Sequence, residues 1–351
     1  MPDLPMWGTV ETVAIQSDTR LAPPDGFWLR FYPRIVASTA ETIMFDQLPV
    51  RDRRLAPFVA PNVQGRVMRQ RGRPMAAFKP AYVKPKHEVD PARAIPRRPG
   101  EPLLGNLTLE QRFNLIIADC LREERESIER RWDWMACQAA VYGYVDVYGE
   151  DYPKVRVDFH RDPALTIVLS GASAWSADTA QPMEDINLGR TTAFAKGGSS
   201  VNNIIFGLTA WGNFTKRVNL KELMSRDNAG SNSNVNTTGL QDGSPFEYQG
   251  RISGPNGAGF IDLWTYSNEY EDDDGVMQPY MDARDVVGIG NNFQGVRAFG
   301  AIKDRRSLQA VPMFPKVWDA NEDPSGTFTM TQSAPLMVPG NPNNSFRIRT
   351  Q

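Results

Sequence analysis

Histidine and cysteine are nearly missing from this 351-residue chain, which holds two of each: His87, His160, Cys120 and Cys137. Two imidazoles exclude a His-rich zinc site and leave a His-based catalytic triad just two possible members. The cysteines lie 17 residues apart on one predicted helix, a separation of about 25 Å at 1.5 Å per residue and far beyond disulfide reach. They read as packed thiols. No stretch approaches the roughly 20 consecutive apolar residues that a membrane helix needs. The start, Met1-Pro2-Asp3-Leu4-Pro5, has no basic region followed by an apolar run, so no secretory signal is expected. A soluble protein made in a cytoplasm is the reading. Without secretion, the sequons Asn106-Leu107-Thr108 and Asn213-Phe214-Thr215 carry no meaning. No internal repeat is visible, and no cofactor is expected.

What is present is charge, unevenly spread. The chain has 39 Lys/Arg against 41 Asp/Glu, a net charge of −2. Residues 51 to 100 hold thirteen Lys/Arg and three acids, or +10, which leaves 26 Lys/Arg against 38 acids elsewhere, or −12. Eight of the 27 prolines fall in the same basic segment. Each proline removes a backbone donor, so this segment is neither a helix nor a central strand.

Residues 1 to 58 show no sustained period yet carry Trp7, Phe27, Trp28, Phe31, Tyr32 and Phe45. An irregular arm with such anchors must bury them, against its own body or another subunit. Asn62 to Gln70 and Met75 to His87 flank the turn-like Arg71-Gly72-Arg73-Pro74, the pattern of a long two-stranded ribbon. A lone ribbon is marginal in water and needs a surface to lie on. Thr108 and Gln111 then form a capping-box pattern. Apolar residues recur at helical spacing through Phe113, Ile117, Cys120, Leu121, Ile128, Trp132, Met135 and Ala139, with the charged run Arg122 to Arg125 on the outer face. Thirty residues of helix would span roughly 45 Å. Strands are expected within Val141 to Phe159, at Ile167 to Leu169, Asn202 to Gly207, Phe246 to Ser253, Phe260 to Tyr270, Asp285 to Ile289 and Val296 to Ile302. A final strand is expected at Phe328 to Val338. Short helices are expected at 184 to 196 and after Thr209, read as a cap, and Ser225 to Ser244 reads as a surface loop. The elements mix, so the fold class is α+β.

Each candidate site has a plainer reading. The acidic cluster Glu269, Glu271, Asp272, Asp273 and Asp274 offers oxygen ligands for Ca²⁺ or Mg²⁺ but lacks the EF-hand alternation, and reads better as a solvated hairpin turn. Gly288-Ile289-Gly290 with Gly295 matches a dinucleotide fingerprint loosely, with the third glycine misplaced and no surrounding βαβ unit. Gly197-Gly198-Ser199-Ser200 lacks the ending of a phosphate loop. His87 could act as a base, but reads more simply as a hydrogen-bonding residue on the ribbon. Nothing pairs two carboxylates for catalysis. The basic ribbon is the strongest signal. It neutralises nucleic-acid phosphates, docks on the −12 body of a neighbouring copy in a head-to-tail contact that closes into rings or shells, or is a plain solvated hairpin.

Two strings then point to a family. Tyr82-Val83-Lys84-Pro85-Lys86-His87-Glu88-Val89-Asp90-Pro91 and Thr327-Phe328-Thr329-Met330-Thr331-Gln332-Ser333-Ala334-Pro335-Leu336-Met337 closely resemble segments of lambda-type major capsid proteins, the phage major capsid protein E family. Weaker similarity appears at Gln64 to Arg69, Gly230 to Ser233, Gly295 to Gly300 and Phe314 to Trp318. The order is preserved. The resemblance is thinnest before residue 25 and around 269 to 275, where the acidic loop looks like a local elaboration.

The resemblance implies the HK97-type capsid fold. Its parts would be an N-terminal arm (1–58), an extended β-hairpin called the E-loop (59–102), a peripheral domain (103–183 and 311–351) with a long spine helix (108–139), and an axial domain (184–310). It implies a structural protein and no enzyme. Hexamers and pentamers would form an icosahedral head shell around packaged double-stranded DNA, in the virion, assembled in the host bacterial cytoplasm. Expected partners are further copies of itself, a scaffold protein, a portal, non-specifically bound DNA and, in some relatives, a trimeric decoration protein at the three-fold sites; no membrane is involved. No large fused scaffold domain is expected. The expected inter-subunit contacts are Arg66, Arg69, Arg71, Lys84, Lys86 and His87 on the E-loop and Trp7, Phe27, Trp28, Phe31 and Tyr32 on the arm. A basic-armed nucleic-acid-binding protein is the alternative, and a hydrolase using the acidic cluster comes third.

Overall fold

Two reciprocal hydrogen bonds start the longest element of the fold. In the computed structural model, which describes residues 26–46, 75–96, 107–149, 152–218, 245–253, 259–272, 275–304, 310–320 and 326–351, the Gln111 amide donates to the Thr108 hydroxyl at 3.2 Å, and the Thr108 amide donates to the Gln111 side chain at 2.9 Å. They satisfy two of the four amides that a helix start leaves unpaired. Helix α1 (Leu109–Tyr142) then runs for 34 residues, about 51 Å at the usual rise. It stops at Gly143, whose φ of 76° is left-handed and suits glycine. The buried Arg161 packs over that glycine and donates from Nη1 to the Ala140 carbonyl at 3.0 Å, placing a cation where the helix dipole is negative.

In chain order the strands before α1 are β1 (Arg34–Ala37), β2 (Ile43–Asp46), β3 (Met75–Phe78) and β4 (Lys86–Val89). After it come β5 (Tyr144–Gly149), β6 (Tyr152–Asp158), β7 (Thr166–Val168), α2 (Pro182–Gly197), β8 (Val201–Gly207), α3 (Leu208–Arg217), β9 (Phe246–Ser253) and β10 (Phe260–Tyr266). A small hairpin, β11 (Glu269–Glu271) and β12 (Met277–Pro279), precedes β13 (Asp285–Gly290) and β14 (Val296–Phe299). The chain ends with β15 (Phe314–Ala320), β16 (Gly326–Gln332), β17 (Pro335–Val338) and β18 (Ser345–Arg349).

A six-stranded mixed sheet, ordered β7-β18-β13-β8-β10-β9, separates two cores. Alternation along its strands divides them: Ile204, Phe206 and Val286 face the core that holds Ile186, Phe214 and Phe346, while Ile205, Val287 and Ile289 face the core built on the C-terminal half of α1. In that half, every residue from Trp132 to Val141 except Gln138 is buried. The N-terminal half of α1 is amphipathic and lies on a second sheet, β15-β16-β4, through Ile117, Leu121, Val89 and Val317. Both cysteines are buried and free. Among the described residues, no helix is long and apolar enough to cross a membrane.

Several expectations change here. The last strand is β18, not Phe328 to Val338, which divides into β16 and β17. β7 and β18 are the first two strands of the six-stranded sheet, with β18 beside β13. Gly207 rather than Thr209 occupies the cap of α3, with no side-chain cap bond. The loose nucleotide fingerprint is a packing device. Gly288 faces Phe346 across the β13–β18 ladder, and a Cβ added there would lie 2.2 Å from that ring, while one on Gly295 would lie 2.3 Å from Tyr32. Gly189 on α2 approaches the Phe346 ring from the other side, with 2.7 Å left for a Cβ. The ring has nowhere to move, so Gly288→Ala is expected to destabilise the unassembled chain by about 1 to 3 kcal/mol through overpacking, read from urea unfolding.

Candidate assembly elements

The described arm residues expected to contact a neighbour pack into their own chain. Trp28–Phe31 forms a short 3-10 turn whose leading amides point at α1. Asp133, 1% exposed, accepts from the Trp28 and Leu29 amides with Oδ1 at 2.9 and 3.0 Å. A carboxylate in the middle of an apolar helix face thus caps a second helix. Tyr32 donates its hydroxyl to the Ala136 carbonyl at 3.1 Å, and Arg297 donates from Nε to Tyr32 O at 2.8 Å and from Nη2 to Leu29 O at 2.9 Å. The Phe27 ring lies 5.1 to 5.8 Å from those of Phe246, Trp264 and Tyr266. Over it sits the Arg30 guanidinium, 3.7 Å from the ring centre and pulled down to about 10 by burial, with Asp133 opposing. Phe27, Trp28 and Tyr32 are therefore core residues, and Phe31 packs on the same core. For Phe27, Trp28 and Tyr32 this corrects the expected inter-subunit contact, because each is at most 2% exposed within the chain. Trp7 lies outside the described residues.

The ribbon is rooted in the same chain. β3 pairs with β2, Ile43 opposite Phe78 and Asp46 opposite Met75, whereas the sequence reading opposed this strand to Asn62 to Gln70. Residues 47 to 74 connect the pair, and Arg66, Arg69 and Arg71 fall outside the described residues. Further along, Val83 bridges Ser333, the Tyr82 hydroxyl donates to Ala301 O at 2.8 Å, and β4 pairs with β16. Lys86 places its ammonium 4.0 Å over the Phe328 ring. Lys84 is exposed, 4.6 Å from the Tyr82 ring.

His87 reaches the least expected group of the molecule. Its Nδ1 lies 3.2 Å from Oε1 of Glu124, a fully buried carboxylate on α1, and its Nε2 lies 3.8 Å from Glu123. Glu124 also accepts from the Thr329 hydroxyl at 2.6 Å and the Thr331 hydroxyl at 2.7 Å. Burial pushes the Glu124 carboxyl up, and the donors from Thr329, Thr331 and His87 oppose that rise. His87 thus makes a hydrogen bond inside its own chain, and its side chain stays 38% exposed. Sequence reasoning placed Glu124 in an outer charged run. The missed signal is its place on the apolar stripe Ile117, Leu121, Ile128, matched by the alternating threonines of Thr327-Phe328-Thr329-Met330-Thr331.

The acidic stretch forms a hairpin turn: Asp272 accepts from the Val276 amide with Oδ1 at 2.9 Å and from the Gly275 amide with its carbonyl at 3.0 Å. Asp273 and Asp274 lie outside the described residues. Among the described residues, no group of three His, Cys, Asp or Glu is disposed to hold a metal.

The model of the family phage major capsid protein E matches residues 12–350. The chain belongs to that family. It is 31% identical to the major capsid protein of Escherichia phage N15 and 32% identical to that of Escherichia phage lambda, each over 93% of this chain and 94% of the relative. The crystal structure of a prophage capsid protein from Escherichia coli CFT073 superposes with a TM-score of 0.75 at 22% identity, covering 99% of both chains. The fold is the HK97-type capsid fold. This family member is a structural, shell-forming protein of the virion capsid that assembles with copies of itself. The nucleic-acid-binding alternative has no support. The two strings that carried the resemblance lie side by side, Lys86–Val89 hydrogen-bonded along Thr327–Met330, with Glu124 beneath both.

Proposed function

We propose that the protein forms hexamers and pentamers of an icosahedral head shell enclosing packaged double-stranded DNA, and that the basic ribbon of each copy grips the acidic body of the next. The observation that carries this is the charge of residues 47 to 74. They hold seven arginines and one acid, and they connect the two strands of the β2–β3 pair. Seven like charges are costly to bury without partners, and the −12 remainder of a neighbouring copy supplies them. Exposed pairs contribute only about 0 to 1 kcal/mol each, so they set direction and register, and the shell is stable because every copy repeats them. A separate scaffold protein, a portal, a trimeric decoration protein at the three-fold sites and non-specific contact with DNA belong to the same reading, which assigns the chain no catalysis.

Reversing Arg66, Arg69, Arg71 and Lys84 to Glu is expected to abolish particles in electron micrographs of the chain co-expressed with its scaffold. Circular dichroism should still report a folded subunit. Particles indistinguishable from those of the unsubstituted chain would refute the ribbon-to-body contact.

A further inference from the structure

Beside the ribbon root a cleft of about 460 Å³ opens between the segment carrying Tyr82 and Lys84, helix α1 at Arg131 and Trp134, and the β5–β6 hairpin at Tyr148 and Tyr152. That volume suits a small organic molecule, for which sites run roughly 300 to 1,000 Å³. Its aromatic walls are held in place by the fold. The Tyr82 hydroxyl donates to Ala301 O at 2.8 Å and accepts from the Lys303 amide at 3.2 Å. Trp134 packs edge-on against Tyr148 and Tyr270, with ring centres 6.5 and 6.2 Å away. Rings fixed in this way can stack on another flat ring with little ordering cost. The charge of the cleft is unbalanced. The acid that lines it, Asp146, is already held by Arg156 at 2.6 and 2.8 Å and by Lys154 at 3.3 Å. Lys84 and Arg131 have no carboxylate partner among the described residues, and they lie 4.6 Å from the Tyr82 ring centre and 5.4 Å from that of Trp134.

We propose that this cleft binds a small flat aromatic anion, its acidic group taken by Lys84 and Arg131 and its ring by Trp134 and Tyr148. Each half of that chemistry answers one feature of the site. An anionic group completes the charge of two cations that the chain itself leaves without a carboxylate, and charge-assisted bonds of this kind are the strong ones. An apolar ring displaces water from walls that are already aromatic. A cationic ligand is excluded, because a cage for a cation needs the rings without the two positive charges beside them. A small inorganic anion would leave the aromatic walls unused. The cleft joins three elements of the fold, so a bound molecule ties the segment that leads into β4 to α1 and to the β5–β6 hairpin, and should stabilise the chain in proportion to its occupancy.

The test uses the unassembled full chain and 8-anilino-1-naphthalenesulfonate, with N-phenyl-1-naphthylamine, the same rings without the sulfonate, as the uncharged control. Fluorescence titration should show saturable binding of the sulfonate, about tenfold tighter than that of the neutral dye. Arg131→Glu or Lys84→Glu should remove that tenfold advantage and leave the neutral dye unaffected. Tyr148→Ser, at a side chain already exposed, should weaken both dyes. Saturating sulfonate should also raise the thermal midpoint of the parent chain and not that of the Arg131→Glu variant. Circular dichroism checks that each variant is folded, and Arg131→Gln, which removes the charge without reversing it, replaces Arg131→Glu if the latter is not. No saturation up to about 100 µM, equal affinity for the two dyes, or a sulfonate affinity indifferent to both charge substitutions in folded chains would overturn the proposal.

Discussion

Asp133→Ala is expected to be among the most damaging single substitutions in the unassembled subunit, costing about 3 to 5 kcal/mol. The carboxylate is buried, and one of its oxygens accepts both leading amides of the Trp28–Phe31 turn. Bonds to a charged acceptor contribute roughly 1.5 to 3 kcal/mol each, and their loss leaves two amides without partners in a site closed to water. The loss is not local. Tyr32, Arg297 and Phe27 hold the same segment against α1, β14 and β10, so the arm should detach as a unit. Urea unfolding measures the cost, and trypsin should cut at Arg30 or Arg34 far faster in the variant than in the parent chain. Asp133→Asn keeps the accepting oxygen and should lose only about 1 to 2 kcal/mol, mainly the charge that faces Arg30 and Arg297. Equal loss in both variants would show that the negative charge, and not the cap geometry, holds the arm.

The contrast between Asp133 and Thr108 shows what a sequence can display. Thr108 caps α1 with a partner three residues away, so its role is written in four consecutive letters. Asp133 caps a turn 105 residues distant and, within Trp132-Asp133-Trp134, offers no local sign of its partner. The same distinction runs through the fold. α1, β8, β13 and the acidic hairpin were legible from periodicity and turn residues, because the forces that form them are local. The pairing of β3 with β2 was not, since Ile43–Asp46 is a four-residue strand whose partner lies beyond residues 47 to 74. Nor was β18, whose five residues find their place only between β13 and β7. That Phe27, Trp28 and Tyr32 need burial follows from their aromatic surface alone. Which surface would bury them depended on Asp133 and Arg297, and neither identity nor spacing announces a carboxylate or guanidinium aimed at backbone.

Glu124→Ala is expected to cost about 3 kcal/mol or more, because it strips the acceptor from Thr329, Thr331 and His87 together and loosens the ribbon root from the spine of the fold. Glu124→Gln separates charge from shape. A threonine hydroxyl can rotate to accept as readily as it donates, so the amide can keep the contacts to β16 while removing a charge that burial disfavours. Near neutral pH the Gln variant should match the parent or exceed it by up to about 1 kcal/mol. The pH dependence fixes the cause. The folded-state carboxyl of Glu124 is raised above its unfolded value, so the folded state binds the proton more tightly. Its contribution to stability is then full below the unfolded value of about 4.3 and declines as pH rises through the raised folded value. Glutamine cannot titrate, so the advantage of the Gln variant should shrink as pH falls toward 4, in urea unfolding of both chains from pH 4 to 8. Burial also raises Asp185 and Asp285, but both are unchanged in the Gln variant and cancel in the difference. A difference that stays flat across this range would mean that Glu124 is ionised at no cost, with its three donors fully offsetting its burial.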